Sequence, residues 1–313
     1  MKNECNVRHC EERQRRTPSL RGASATRQSP ASRDPHVRPS AFLRMTILLL
    51  ALSITPANAE VVPTYSINSS TIQKIDKWID KDTIVFIELD EVLVMPRSKM
   101  FYYNDNPYRL FISNLISLSN ENSKYFAPLL SWYQSRKIRL VEDGWLNFIE
   151  DLKKRNVVVY GFCTMPIHFE NIEQFRLKEI EELGIKFTGQ INGKDVLEIN
   201  KLEGWKSVFF HGIIFTGPFS KSQTMLDFMK VTNISPKKIV VFDKIKNDAQ
   251  IMDKALHRFR MSYYNILYLG AREFTDKPDP NVVAMQQKTL LEQGKWLEDE
   301  EAEAILKSGN EGK

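Results

Sequence analysis

The sequence predicts an α/β protein: a doubly wound, mostly parallel sheet, with a helical segment inserted after the first core strand. Two observations carry that expectation. Four apolar runs, TIVFIE (83–88), VVVYGF (157–162), KIVVFD (238–243) and YNILYLG (264–270), lack the polar alternation of a half-solvated strand. Strands of that kind are buried on both faces, as in parallel sheets. Between them lie amphipathic stretches with helical spacing, the pattern of strand–helix–strand units.

The elements follow in order. SSTIQKIDKWID (69–80) places Ile72, Ile75 and Trp78 at helical spacing behind a Ser/Thr cap. Residues 83–88 form the first core strand. The stretch from about 97 to 140 is too long for a simple crossover and reads as a helical cap. Its aromatics, Phe101, Tyr102, Tyr103, Tyr108, Tyr125, Trp132 and Tyr133, read first as the core of that cap. DGWLNFIEDLKKR (143–155) is amphipathic, with Trp145, Phe148, Ile149 and Leu152 on one face. A strand at 157–162 and a charged helix at 168–183 follow. VFFHGIIFTG (208–217) is a strand or small hairpin. A helix at 221–231, a strand at 238–243, a helix at 247–259 and a strand at 264–270 complete the sheet region. The tail, about 278–313, returns to helices, with Trp296 as its packing anchor.

Charge is unevenly placed. The whole chain carries +5, but residues 1–59 hold ten Lys/Arg and four Asp/Glu, leaving 34 against 35 for residues 60–313. The basicity belongs to the leader, so net charge does not argue for nucleic acid as a partner. Residues 1–44 are rich in Arg, Ser and Pro and cannot bury a core, which predicts a disordered extension. MTILLLALSITPANAE (45–60) has a short apolar run at 47–54, with Arg44 before it and the small–x–small pattern Ala57-Asn58-Ala59 after it. These are the marks of a secretory signal sequence at 45–59, too short to span a bilayer. The expectation is export to the periplasm or beyond, with a mature chain starting near Glu60. No later stretch is long and apolar enough to anchor it in a membrane. Cys5 and Cys10 fall in the leader, leaving Cys163 alone, so no internal disulfide is expected. His168, His211 and His257 are isolated and have no zinc spacing.

In an open α/β sheet, ligands bind beyond the carboxyl ends of the strands. The first core strand ends in Glu88 and Asp90. The second ends in Cys163-Thr164. Lys221 opens the helix after the hairpin, and the third strand ends in Asp243, with Asn247 four residues on. Carboxylates suit a hard cation such as Mg²⁺. An ammonium and a hydroxyl suit phosphoryl oxygens. Together they point to phosphoryl transfer, where positioning and charge neutralisation carry most of the catalysis. Each residue alone has a plainer explanation: a strand-end Asp forms turns, Thr164 can cap, and Lys221 can be a solvated lysine.

The order of these groups resembles the haloacid dehalogenase superfamily of phosphatases and related hydrolases. IELDEVL matches its first motif, Thr164 in VVVYGFCT its second, Lys221 its third and VVFDKIKN its fourth. The resemblance spans about residues 70–270. The phrases GIIFTG, SPKKIVVFD and LYLGAREFTDKPDPNV also resemble a bacterial family of unknown function within that superfamily, the DUF2608 type. The resemblance implies a small phosphorylated substrate and a Mg²⁺ ion. It implies Glu88 as nucleophile and metal ligand, and Asp90 as general acid/base and as a metal ligand through its backbone carbonyl. Thr164 and Lys221 would hold the phosphoryl oxygens. Asp243 would bind the metal, with Asn247 in support. Glu91 would face away as a spacer.

Two positions depart from the pattern. Position 88 is Glu where the superfamily has Asp, which moves the attacking oxygen by about 1 Å, enough to cost on the order of a hundredfold in rate. Position 244 is Lys where an acidic pair would place a carboxylate. The expectation is therefore an exported Mg²⁺-dependent phosphomonoesterase, slowed by the Glu at position 88. Its alternative is a non-catalytic relative that keeps a phosphate or metal pocket for binding, as a secreted effector. A receiver-type signalling domain also uses strand-end acids and a Lys, but the helical insertion and the Thr–Lys–Asp order disfavour it.

Overall fold

The structure is a computed structural model. It describes residues 60–313 other than 104–106, 166–170, 203, 246–250, 254, 257–260 and 312–313. Every described residue belongs to one compact unit. The leader and signal sequence expected over 1–59 lie outside the described residues, as do His168, Asn247 and His257.

The protein is a mixed α/β fold on a large, mostly parallel sheet. The strands are β1 (Glu60–Thr64), β2 (Thr83–Glu88), β5 (Val158–Cys163), β6 (Val196–Leu202), β7 (Trp205–Phe210), β8 (Ile213–Phe215), β9 (Lys238–Asp243) and β10 (Ser262–Tyr268). Their order is β1-β10-β9-β2-β5-β8-β7-β6. All pairings from β1 to β8 are parallel; β8–β7 and β7–β6 are antiparallel. The expected hairpin at 208–217 is β7–β8. β1 and β6 were not expected. β6, VLEINKL, is a mostly exposed edge strand and carries little of the apolar density that marks a core strand.

Both faces of the sheet are covered, which is why the core strands read as continuous apolar runs. Val85 and Ile87 of β2, with Val240 and Phe242 of β9, point into one core. Ile84 and Phe86, with Ile239 and Val241, point into the other. The first core takes helices α1 (Ser69–Asp76), α4 (Gly144–Lys154) and α5 (Ile172–Glu182). Trp145 of α4 is fully buried, edge-on to Phe242 at 5.2 Å and to Tyr268 at 5.1 Å, a favoured aromatic geometry. The second core takes α6 (Lys221–Thr232) through Met225, Phe228 and Met229. Of the helix expected over 247–259, residues 251–253 and 255–256 are helical among those described.

Between β2 and α4 the chain makes a small antiparallel pair, β3 (Val94–Pro96) with β4 (Ile138–Leu140). Helices α2 (Phe111–Glu121) and α3 (Phe126–Ser135) lie between these two strands. Phe101, Tyr102, Trp132 and Tyr133 are buried there. Phe101 packs against Trp132 at 5.6 Å and against Trp296 at 5.9 Å. Trp296 lies between the tail helices α7 (Pro280–Gln293) and α8 (Asp299–Glu311) and is the anchor expected of it.

Candidate functional site

β2 lies at the centre of the parallel region, with β5 on one side and β9 on the other. The chain leaves β2 towards β5 and later returns to β9, so the carboxyl ends of these three strands flank the switch point where α/β proteins place ligands. Glu88 ends β2, Thr164 follows β5 and Asp243 ends β9. Lys221 is the first residue of α6, whose N-terminus is capped by Ser220 accepting from the Gln223 amide. The structure therefore brings four of the expected site residues into one cluster.

The cluster is ionic and buried. Glu88 is 1% exposed and Asp243 is 3% exposed. The Lys221 ammonium donates to both oxygens of Asp243, at 2.9 and 2.8 Å. It also pairs with Glu88 Oε2. Thr164 Oγ1 donates to Glu88 Oε1 at 3.1 Å. The Ile245 amide donates to Asp243 Oδ1 at 3.0 Å, turning the chain just past the strand. Two buried carboxylates share one buried ammonium, an arrangement that persists only with such close pairing.

Asp90 belongs to a different set of contacts. After β2 the backbone makes one tight turn, with Leu93 and Val94 amides donating to Leu89 O at 3.1 and 2.9 Å. The Asp90 carboxylate turns to Arg176 on α5, whose Nη2 donates to Oδ1 at 2.8 Å. Arg176 is 0% exposed. Its Nη1 donates to Glu179 at 2.5 Å, and Arg136, just past α3, donates to the same Glu179 at 3.0 and 3.3 Å. Burial pushes the Asp90 carboxyl up, but the charges of Arg176, Arg136 and Lys244 outweigh it and hold the group below the usual range. For Glu179 the order is the same: burial works against the charge, and Arg136 and Arg176 lower it overall. Burial lifts the neighbouring Cys163 thiol to about 12, so it stays protonated.

Glu91 is not a spacer facing away. Its φ is 66°, the left-handed region rare outside glycine. This turns its carboxylate towards Tyr103 OH at 2.7 Å, Arg109 at 2.6 Å and Lys244 at 3.0 Å. The Arg109 guanidinium lies 3.3 Å from the centre of the Tyr103 ring. Lys244 is thus bound to Glu91 and adds no carboxylate beside Asp243.

The links from Arg176, Glu179 and Arg136 were missed on the sequence, yet one signal was there. Ile172, Arg176 and Ile180 share the buried face of α5 at spacings of four. An arginine in the middle of an apolar stripe is out of place unless something charged meets it. His211, also at positive φ, sits edge-on to Phe210 and shows no ligand geometry.

The class is thus a mixed α/β protein with a mostly parallel sheet and a buried Glu–Lys–Asp cluster at its switch point. The chain belongs to the family described as a protein of unknown function (DUF2608), which matches residues 66–303. It is 36% identical over 267 residues to an uncharacterized protein of Rickettsia prowazekii (strain Madrid E), covering 84% of this chain and 97% of that one. Uncharacterized proteins of Rickettsia felis and Rickettsia bellii are 24% and 23% identical over 246 and 239 residues. Those matches cover 73% and 72% of this chain and 82% and 80% of theirs. Among the described residues no helix is long and apolar enough to cross a membrane.

Proposed function

We propose that this protein is a phosphoryl-handling enzyme of the haloacid dehalogenase type, hydrolysing small phosphate monoesters outside the cytoplasm. One observation carries the proposal: Glu88, Thr164, Lys221 and Asp243 meet at the switch point, each from its own segment, in the order that superfamily uses. The insertion between β3 and β4 is the cap that sets substrate choice. Export rests on the apolar run at 47–54 and the Ala57-Asn58-Ala59 pattern.

In this proposal a Glu88 oxygen attacks phosphorus and the ester P–O bond breaks. The leaving oxygen takes a proton from Asp90. Water then attacks the acyl-phosphate, Asp90 takes its proton, phosphate leaves and Glu88 is restored. Lys221 and Thr164 hold phosphoryl oxygens as charge develops. Arg176 favours ionised Asp90, which suits the second step better than the first. Substrates whose leaving oxygen is weakly basic are therefore turned over fastest.

The resemblance also implies Mg²⁺. The placed donors do not fit it: Lys221 stands between Glu88 and Asp243, the Asp90 carboxylate is committed to Arg176, and Lys244 is a cation. Among the described residues no three acidic, His or Cys side chains gather as a metal site. No step above uses a metal.

A second reading, a pocket that binds phosphate without turning it over, draws on one contact pattern. Both Glu88 oxygens are engaged, by Thr164 and Lys221, so the attacking group is already neutralised. The two readings separate on the hydrolysis of para-nitrophenyl phosphate, with Mg²⁺ and with a chelator. Wild type should turn over, and Asp90→Asn should lose at least about a hundredfold, the usual contribution of a general acid/base. Turnover by Glu88→Asp but not wild type would establish the binding reading. No turnover by either would sink the hydrolase. Separately, an exported form whose N-terminus is far from Glu60 would defeat the export claim.

A further inference from the structure

We infer that Arg176 is the positioning residue of this site: it fixes the orientation of Asp90 towards whatever the Glu88–Lys221 pocket holds. The assignment rests on the role proposed above for Asp90, and it is built on contacts that the superfamily motifs do not include.

Arg176 is fully buried and cannot touch a substrate. Its side chain runs from the apolar stripe of α5 to a carboxylate 86 residues earlier in the chain. Asp90 is 30% exposed, so one end of this ion pair is sealed and the other is open to solvent two residues past Glu88. A lone carboxylate within a tight turn has several staggered orientations open to it. The bond from Nη2 to Oδ1 selects one. The guanidinium is itself fixed, because Nη1 donates to Glu179 and Glu179 is gripped from its other side by Arg136. Arg136 in turn lies over the Trp132 ring at 4.1 Å. The chain of contacts thus starts in the packed helices of the insertion and ends at the group proposed to move protons.

Stability alone does not account for this arrangement. A buried ion network is often matched or bettered by apolar side chains of similar volume. The flanking Ile172 and Ile180 show that the position could hold one. A planar two-pronged donor, by contrast, is what bridging two carboxylates requires.

The test uses the full chain with Arg176→Met, Arg176→Lys and Asp90→Asn, singly and with Asp90→Asn combined, on para-nitrophenyl phosphate. Arg176→Met should lower kcat on the order of 100-fold, as misplacement of a catalytic group does, with KM nearly unchanged. In the Asp90→Asn background the same change should have little further effect. Arg176→Lys perturbs packing least and keeps the charge without the second prong, so it should recover part of the loss. Independent, multiplying effects of positions 90 and 176 would overturn the assignment. Should neither wild type nor Glu88→Asp turn over, the hydrolase reading falls and crystal structures decide the assignment. An Asp90 side chain that keeps its torsion in Arg176→Lys and Arg176→Met overturns it, and one that swings away upholds it.

Discussion

The two ends of the β2–β9 pair carry the same chemistry in opposite settings. At their starts, Lys238 pairs with Asp80 at 2.7 Å and Lys237 with Asp82 at 2.6 Å. Lys237 is 78% exposed there. At their ends, one Lys221 serves Glu88 and Asp243 with almost no water access. In water such a pair gains little, because solvent already stabilises both charges. In the interior each charge depends on the other, and removing one leaves the rest stranded. Similar pairings therefore conceal unequal consequences, and burial is what sets the carboxyl ends apart.

The largest effect should come from Lys221→Met. It leaves two buried carboxylates facing each other, so denaturant unfolding at pH 7 should show a loss of about 3–5 kcal/mol. The variant also opens the space between Glu88 and Asp243. Added Mg²⁺ should restore part of the lost stability in Lys221→Met and leave wild type unchanged. A small loss without Mg²⁺ rescue would show that the two ends of the strands do not differ as their burial suggests.

A smaller effect is expected at Glu179, and its sign is fixed by linkage. Its folded carboxyl lies below the ordinary 4.5 because Arg136 and Arg176 more than offset its burial. The ionised form is thus favoured by folding. That contribution is complete above pH 4.5 and fades as pH falls through the folded value. Glu179→Gln should be less stable than wild type at pH 7, and the gap should narrow steadily in unfolding measurements taken below pH 4.5. A gap that stays constant into acid would mean that Glu179 contributes by packing alone.

Much of this was legible in the residues. Strands buried on both faces must be apolar throughout, so β2, β5 and β9 were visible as runs, and their polar ends marked Glu88, Thr164 and Asp243. Lys221 was visible only through order, since nothing local separates it from a surface lysine. Edge strands β1 and β6 escaped because a strand with solvent on one side needs no such density. Glu91 escaped for a different reason. Its direction depends on a positive φ in the turn after β2, and on partners 12, 18 and 153 positions away, and local pattern does not report either.

The smallest effect belongs to the exposed end. Lys237→Ala removes the pair with Asp82, and Asp82 is then solvated by water with nothing left buried. Unfolding at low salt should shift barely or not at all. Any shift should disappear at about 1 M salt, where the Debye length falls to about 3 Å. Lys221→Met should keep most of its deficit under the same salt, because ions do not enter the buried cluster. If salt erased both deficits alike, the Glu88–Lys221–Asp243 cluster would have to be open to solvent, and the contrast between the two ends would be one of geometry and not of dielectric.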